Sequence, residues 1–190
     1  MSEQIRSFVA ILLNEAVRTA IASELDQIRP LARSVGWVAP PNLHLTLKFL
    51  GRLPVDTVKA VEGALGAVVG EMSPFSMVFQ GLGAFPGVAR PRVLWVGVVE
   101  GVRECQALAR LVEDTLARSG LPQESRPYTP HVTIGRVRKP GGLSALQQAI
   151  SQDAHKPFGQ LEVRALSLMR SDLHPDGARY TELRAFPFAG

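Results

Sequence analysis

At 190 residues, 46% hydrophobic and 20% charged, the chain holds enough apolar content for a packed core and too much for a disordered segment. No apolar run nears the roughly 18 residues of a membrane-spanning helix, residues 1–7 lack the blocks of a secretion signal, and a lone Cys105 excludes an internal disulfide. The formal charge of +4, with 17 Arg and 4 Lys against 17 acidic residues, leans mildly towards a polyanionic partner, and a cytoplasmic location is expected.

In chain order, residues 6–13 read as a strand that ends at Asn14, a helix cap for residues 15–32. Residues 43–51, "LHLTLKFLG", alternate apolar and polar with period two and stop at Gly51. A helix over 54–70 and a strand over 75–85 complete the first half. The second half repeats the order: strand 92–99, helix 102–120, strand 131–137, short helix 142–150, strand 161–171 and a last strand over 179–188. Phe8 maps on Trp95 and His44 on His131 with one offset of 87 positions. The repeat predicts an α+β fold of two pseudo-symmetric lobes, each a largely antiparallel sheet with helices on its outer face and a cleft between them. The whole chain, 1–190, is expected to form one domain, with lobes over about 1–88 and 89–190 and residues 87–92 as the crossover.

Each half carries one His-x-Thr: His44 and Thr46 in the first, His131 and Thr133 in the second. Strand parity sends His44 and Thr46 to one face and Leu45 and Leu47 to the other, and treats His131, Thr133, Val132 and Ile134 alike. If the apolar sides are buried beneath helices, both polar pairs face one cleft. Paired imidazoles suit combined acid and base catalysis near neutral pH, and Thr hydroxyls can hold phosphate oxygens without added charge. No HExxH, CxxC or GxxxxGK[ST] occurs, so no metal and no cofactor are expected. Tyr128 lies near the second motif and is a candidate for stacking on a nucleobase. Arg126, Arg136, Arg138 and Lys139 flank the same motif, Arg138 and Lys139 reading either as RNA contacts or as a solvated strand end. His155 and His174 are expected in surface loops or turns, and Cys105, Trp37 and Trp95 in packing roles.

"HLTLKFLG" and "RPYTPHVTIGR" resemble the paired HxTx motifs of the two-histidine phosphoesterase superfamily, and within it the bacterial RNA 2′,3′-cyclic phosphodiesterases known as LigT-like 2′-5′ RNA ligases. The likeness extends over nearly the whole chain, including "RSFVAILLN", "RVLWVGV" and "DGARYTELRAFPF". It implies metal-independent opening of RNA 2′,3′-cyclic phosphate ends to 2′-phosphomonoesters, with reverse 2′-5′ ligation; separately, a monomer is expected. It assigns His44 as proton donor, His131 as proton acceptor, and Thr46 and Thr133 to the phosphate oxygens. Phe49 is placed beside the terminal base and Arg136 on the phosphate. Simple parity aims Phe49 and Arg136 away from the histidines, so a β-bulge is expected to re-aim them. Two alternatives stay open: the same chemistry on a small cyclic nucleotide or 2′-5′ oligonucleotide, and a non-catalytic RNA- or nucleotide-binding module.

Overall fold

The computed structural model describes residues 3–175 and 177–189. Strand β1 (Gln4–Leu12) leads into helix α1 (Glu15–Ile28), whose first turn is capped by Asn14, the side-chain oxygen accepting from the Val17 amide at 2.9 Å. Pro30 removes a backbone donor, so the expected helix over 15–32 stops short and continues as a single 3₁₀ turn, Arg29–Leu31. A short strand that the sequence reading missed, β2 (Val35–Trp37), precedes the first motif strand, β3 (His44–Pro54). Then follow α2 (Val55–Val69), β4 (Phe75–Phe85), β5 (Val93–Glu100), α3 (Val102–Arg118), the second motif strand β6 (His131–Val137), α4 (Ser144–Gln152), β7 (Pro157–Val163), β8 (Ala165–His174) and β9 (Gly177–Pro187).

All described strand pairs are antiparallel, and the nine strands form one sheet in the order β7-β4-β5-β6-β3-β1-β8-β9, with β2 beside β6. Helices cover one face. Val17, Ile21 and Leu25 of α1, Val61 and Leu65 of α2, and Leu108 and Val112 of α3 are buried with Val9, Ile11, Leu45, Val96, Val132 and Ile134 from the strands. The other face carries a smaller cluster of Phe8, Ala10 and Met169 under Tyr180. No helix among the described residues is long and apolar enough to cross a membrane.

Two expectations are corrected. Residues 161–171 are two strands: β7 pairs with β4 near one end of the sheet and β8 with β1 near the other. Only Arg164 separates them, so the two ends approach one another and the sheet is strongly curled. Period-two alternation reports which face a side chain takes and is blind to a change of partner. Residues 86–92 are a hairpin between paired strands β4 and β5, not a crossover. Accordingly, the sheet halves exchange strands relative to a division near residue 88: β4 joins β5 from the second half, while β8 and β9 extend β1.

Candidate active site

The two sheet halves meet at one cross-strand pair, Leu45 opposite Val132. Both side chains are fully buried on the helix side, so their neighbours point the other way. The antiparallel register around that pair sets His44 across from Thr133 and Thr46 across from His131. Diagonal positions of this kind stand on the order of 7 Å apart, which brings both imidazoles to one patch.

Each motif strand then breaks its alternation at the same place. On β3, Ala10 of β1 opposes Thr46 but Val9 opposes Lys48, leaving Leu47 as an extra residue. On β6, Trp95 opposes Thr133 but Leu94 opposes Gly135, leaving Ile134 extra. Leu47 and Ile134 each lie three residues beyond their histidine. The bulge buries two successive residues, Leu47 and Lys48, and returns Phe49 to the histidine face, 59% exposed and 6.2 Å from the Phe8 ring. The same device returns the exposed Arg136 to the side of His131. The conflict between strand parity and the expected places of Phe49 and Arg136 is thereby resolved.

Both imidazoles are held alike. His44 Nδ1 donates to the Asn42 carbonyl at 2.7 Å and His131 Nδ1 to the Thr129 carbonyl at 2.7 Å. A carbonyl can only accept, so Nδ1 bears the proton and Nε2 has the lone pair in each neutral ring. His44 Nε2 lies 3.0 Å from the Thr46 hydroxyl, which donates to it. His131 Nε2 has no such partner among the described residues. The Phe8 ring stacks on His44 at 4.7 Å and the Tyr180 edge meets it at 5.2 Å. Phe85 meets His131 edge-on at 5.0 Å and packs on Trp95. A Cβ at Gly83 would strike the Trp95 indole, which accounts for glycine there.

Burial lowers the pKa of both histidines below the ordinary imidazole range. For His44 the backbone bond to Asn42 opposes the shift and His131 adds to it; for His131 the bond to Thr129 opposes it and Arg136 adds to it. The effects of His131 on His44 and of Arg136 on His131 mark these groups as electrostatic neighbours.

Tyr128, the candidate for base stacking, is tied into the fold by its hydroxyl. Its hydroxyl donates to the Thr46 carbonyl at 2.9 Å and touches Cys105 Sγ at 3.8 Å, and its ring packs against the core. Burial raises its pKa and drives the Cys105 thiol up to about 12, which keeps that thiol an inert packing residue. Tyr128 therefore ties the approach to the second motif onto the strand of the first. Tyr128→Phe, which keeps the ring, is expected to cost about 1 kcal/mol of stability, the net value of one hydrogen bond, and an unchanged melting temperature would contradict that. Tyr128→Leu, which removes the ring, separates base stacking (KM raised in steady-state assays) from packing alone (KM unchanged).

Sequence reasoning missed Phe8, Phe85 and Tyr180, which brace the imidazoles, and Asn42, whose side chain donates to the Ala178 carbonyl at 2.6 Å on β9. Trp37 packs against the core as expected, and His155 and His174 are exposed and outside both motif strands. Among the described residues no group of three or more His, Cys, Asp or Glu side chains is placed to hold a metal ion.

Comparison with known proteins agrees with this geometry. The model of the 2′-5′ RNA ligase superfamily matches residues 17–175. A protein of Methanothermobacter thermautotrophicus named RNA 2′,3′-cyclic phosphodiesterase is 32% identical over 183 residues, 96% of this chain and 98% of that one. Among solved structures, a Thermus thermophilus protein superposes with a TM-score of 0.81 at 29% identity, covering 98% of this chain and 99% of that one. E. coli LigT, solved with 3′-AMP, superposes at 0.80 and 26% identity, covering 99% and 100%.

Proposed function

The chain belongs to the 2′-5′ RNA ligase superfamily, the two-histidine phosphoesterases, and from that membership we infer that it is a phosphodiesterase acting on RNA 2′,3′-cyclic phosphate ends. The observation that carries the reading is the pair of His-x-Thr motifs flanking one antiparallel contact, each imidazole fixed at Nδ1 so that Nε2 is the working atom.

Water attacks phosphorus in line with the departing 3′ oxygen. His131 Nε2, with its lone pair unengaged, takes the proton from water. Protonated His44 delivers its proton to the 3′ oxygen, and a 2′-phosphomonoester remains. Thr46 and Thr133 donate to the non-bridging oxygens, Arg136 offsets their charge, and Phe49 stands beside the terminal base. The reverse reaction, attack by a 5′-hydroxyl, forms a 2′-5′ linkage without a nucleoside triphosphate. Both motifs lie in one chain, so a monomer suffices, and a cytoplasmic setting with its RNA is part of the proposal. The test is product identity: an oligoribonucleotide with a cyclic end yields a terminal 2′-phosphate, whereas a 3′-phosphate or no turnover would overturn the reading.

The lowered histidine pKa values set the pH response. The active pair carries one proton, and the free protein binds it only below the ordinary imidazole value of about 6.5. Consequently kcat/KM is expected to peak acid of about pH 6.5 and to fall up to tenfold per unit on the alkaline side. The bound phosphodiester, being anionic, stabilises the imidazolium and moves the kcat profile to higher pH. A kcat/KM plateau extending well above neutrality would contradict this.

A further inference from the structure

We propose that the sheet end beyond Arg136, formed by Arg92, Arg138 and Lys139 with Arg33 beside them, seats the RNA backbone that runs 5′ from the reacting end. This rests on the functional reading above, which puts the cyclic phosphate at His44 and His131.

Charge is segregated along the chain. Residues 27–55, 72–99 and 125–152 contain no Asp or Glu, although the chain has 17 acidic residues in all. These segments supply β2 and β3, β4 and most of β5, and β6 with its flanks. The fold gathers their cations. Gly36 of β2 pairs with Arg136 of β6, the Val137 amide donates to the Arg92 carbonyl at 2.9 Å, and the Arg138 amide donates to the Ser34 carbonyl at 2.8 Å, next to Arg33. The Arg138 guanidinium lies across Gly36, its Nε 2.6 Å from where a Cβ would stand, so that a side chain larger than glycine would displace it.

Beyond the bulge, Arg136 and Arg138 share the histidine face two residues apart, about 7 Å along the strand. Arg33, Arg92, Arg138 and Lys139 are all exposed, and none forms an ion pair among the described residues. Some cations elsewhere are ion-paired, as Lys156 is with Glu24, Arg170 with Asp172 and Arg184 with Glu62, while others such as Arg52, Arg103 and Arg110 form no ion pair among the described residues. What sets this sheet end apart is that its exposed cations converge from segments without a carboxylate. A merely solvated strand end has no reason to exclude carboxylates from three separate segments that converge on it. A single-stranded polyanion does, because each contacted phosphate releases condensed counterions and a neighbouring carboxylate would cancel that gain.

The experiment compares two substrates, a nucleoside 2′,3′-cyclic monophosphate and a decamer RNA with a 2′,3′-cyclic end, across a range of salt concentration. For wild type, KM for the decamer is expected to be lower and to rise steeply with salt. In the triple variant Arg92→Gln, Arg138→Gln, Lys139→Gln, the slope of log KM against log salt should shrink by about 2, at roughly 0.7 per phosphate contact on a single strand, with decamer KM at low salt up at least tenfold. Mononucleotide kinetics should be unchanged, which also reports intact folding. A control with equal charge loss, Arg103→Gln, Arg110→Gln, Arg164→Gln, should keep the steep slope, since Arg103 follows the opposite end of β5. Equal wild-type KM for both substrates, or equal effects of the two triple variants, would overturn the inference and leave the functional reading standing. Absence of wild-type turnover on both substrates would overturn the functional reading itself.

Discussion

His131→Ala and His44→Ala are each expected to lower kcat by about 10²- to 10⁴-fold, the usual contribution of a positioned acid or base. The two imidazoles act on one proton inventory in one step, so the double variant should be little worse than the poorer single variant. The pH profiles tell the roles apart. Loss of the proton acceptor His131 removes the acid limb of the bell, and loss of the donor His44 removes the alkaline limb. Because His44 is stacked against Phe8 and edged by Tyr180, its replacement also opens a gap on the cleft face. His44→Gln, which refills part of that space, serves as a second variant. Full rates in both His44 variants, measured by stopped-flow on a cyclic-ended RNA, would sink the acid–base pairing.

Glu113→Ala is expected to give the largest loss of stability. The bulge at Leu47 turns Lys48 into the helix-covered side, where it is only 6% exposed. Its ammonium is held by Glu113 Oε2 at 2.6 Å and the Pro122 carbonyl at 2.8 Å, and Glu113 also accepts from the Glu124 amide at 3.3 Å. Removing the carboxylate strands a buried charge beside a single neutral acceptor, a change that costs about 3–5 kcal/mol. For a chain of this size the melting temperature should fall on the order of 10 °C. The pair itself is replaceable: Lys48→Met with Glu113→Leu should restore most of the loss, since no charge is then buried. Because Lys48 lies between Thr46 and Phe49, Glu113→Ala should also lower kcat at temperatures where the protein remains folded. A melting temperature unchanged in Glu113→Ala would show that water reaches Lys48.

The duplication was legible because His44 and His131 sit at one offset within alternating strands, and alternation alone puts Thr46 and Thr133 beside them. Side-chain direction is a local property, so it survives reading from sequence. Partnership is not local. Asn42 braces the first motif through Ala178, 136 residues away, and Tyr180 reaches His44 only because β8 and β9 return to β1. Nothing in the spacing announces that return. The break at Arg164 is hidden for the same reason, since alternation passes through it while the hydrogen-bonding partner changes. The hydroxyl of Tyr128 shows the same non-locality, since it donates to the carbonyl of Thr46, 82 residues away. The bulges at Leu47 and Ile134 fall between these cases. Parity signalled that some irregularity was needed to bring Phe49 and Arg136 to the histidines, and the register shows where it occurs.

The most direct measurement is a single-turnover reaction on a short RNA ending in a 2′,3′-cyclic phosphate, with EDTA present and the product terminus identified, wild type run beside the His44→Ala, His131→Ala double variant. On the two-histidine mechanism, wild type yields a terminal 2′-phosphate at a rate insensitive to EDTA, and the double variant yields essentially none. Turnover that EDTA abolishes, or that survives loss of both histidines, would contradict it.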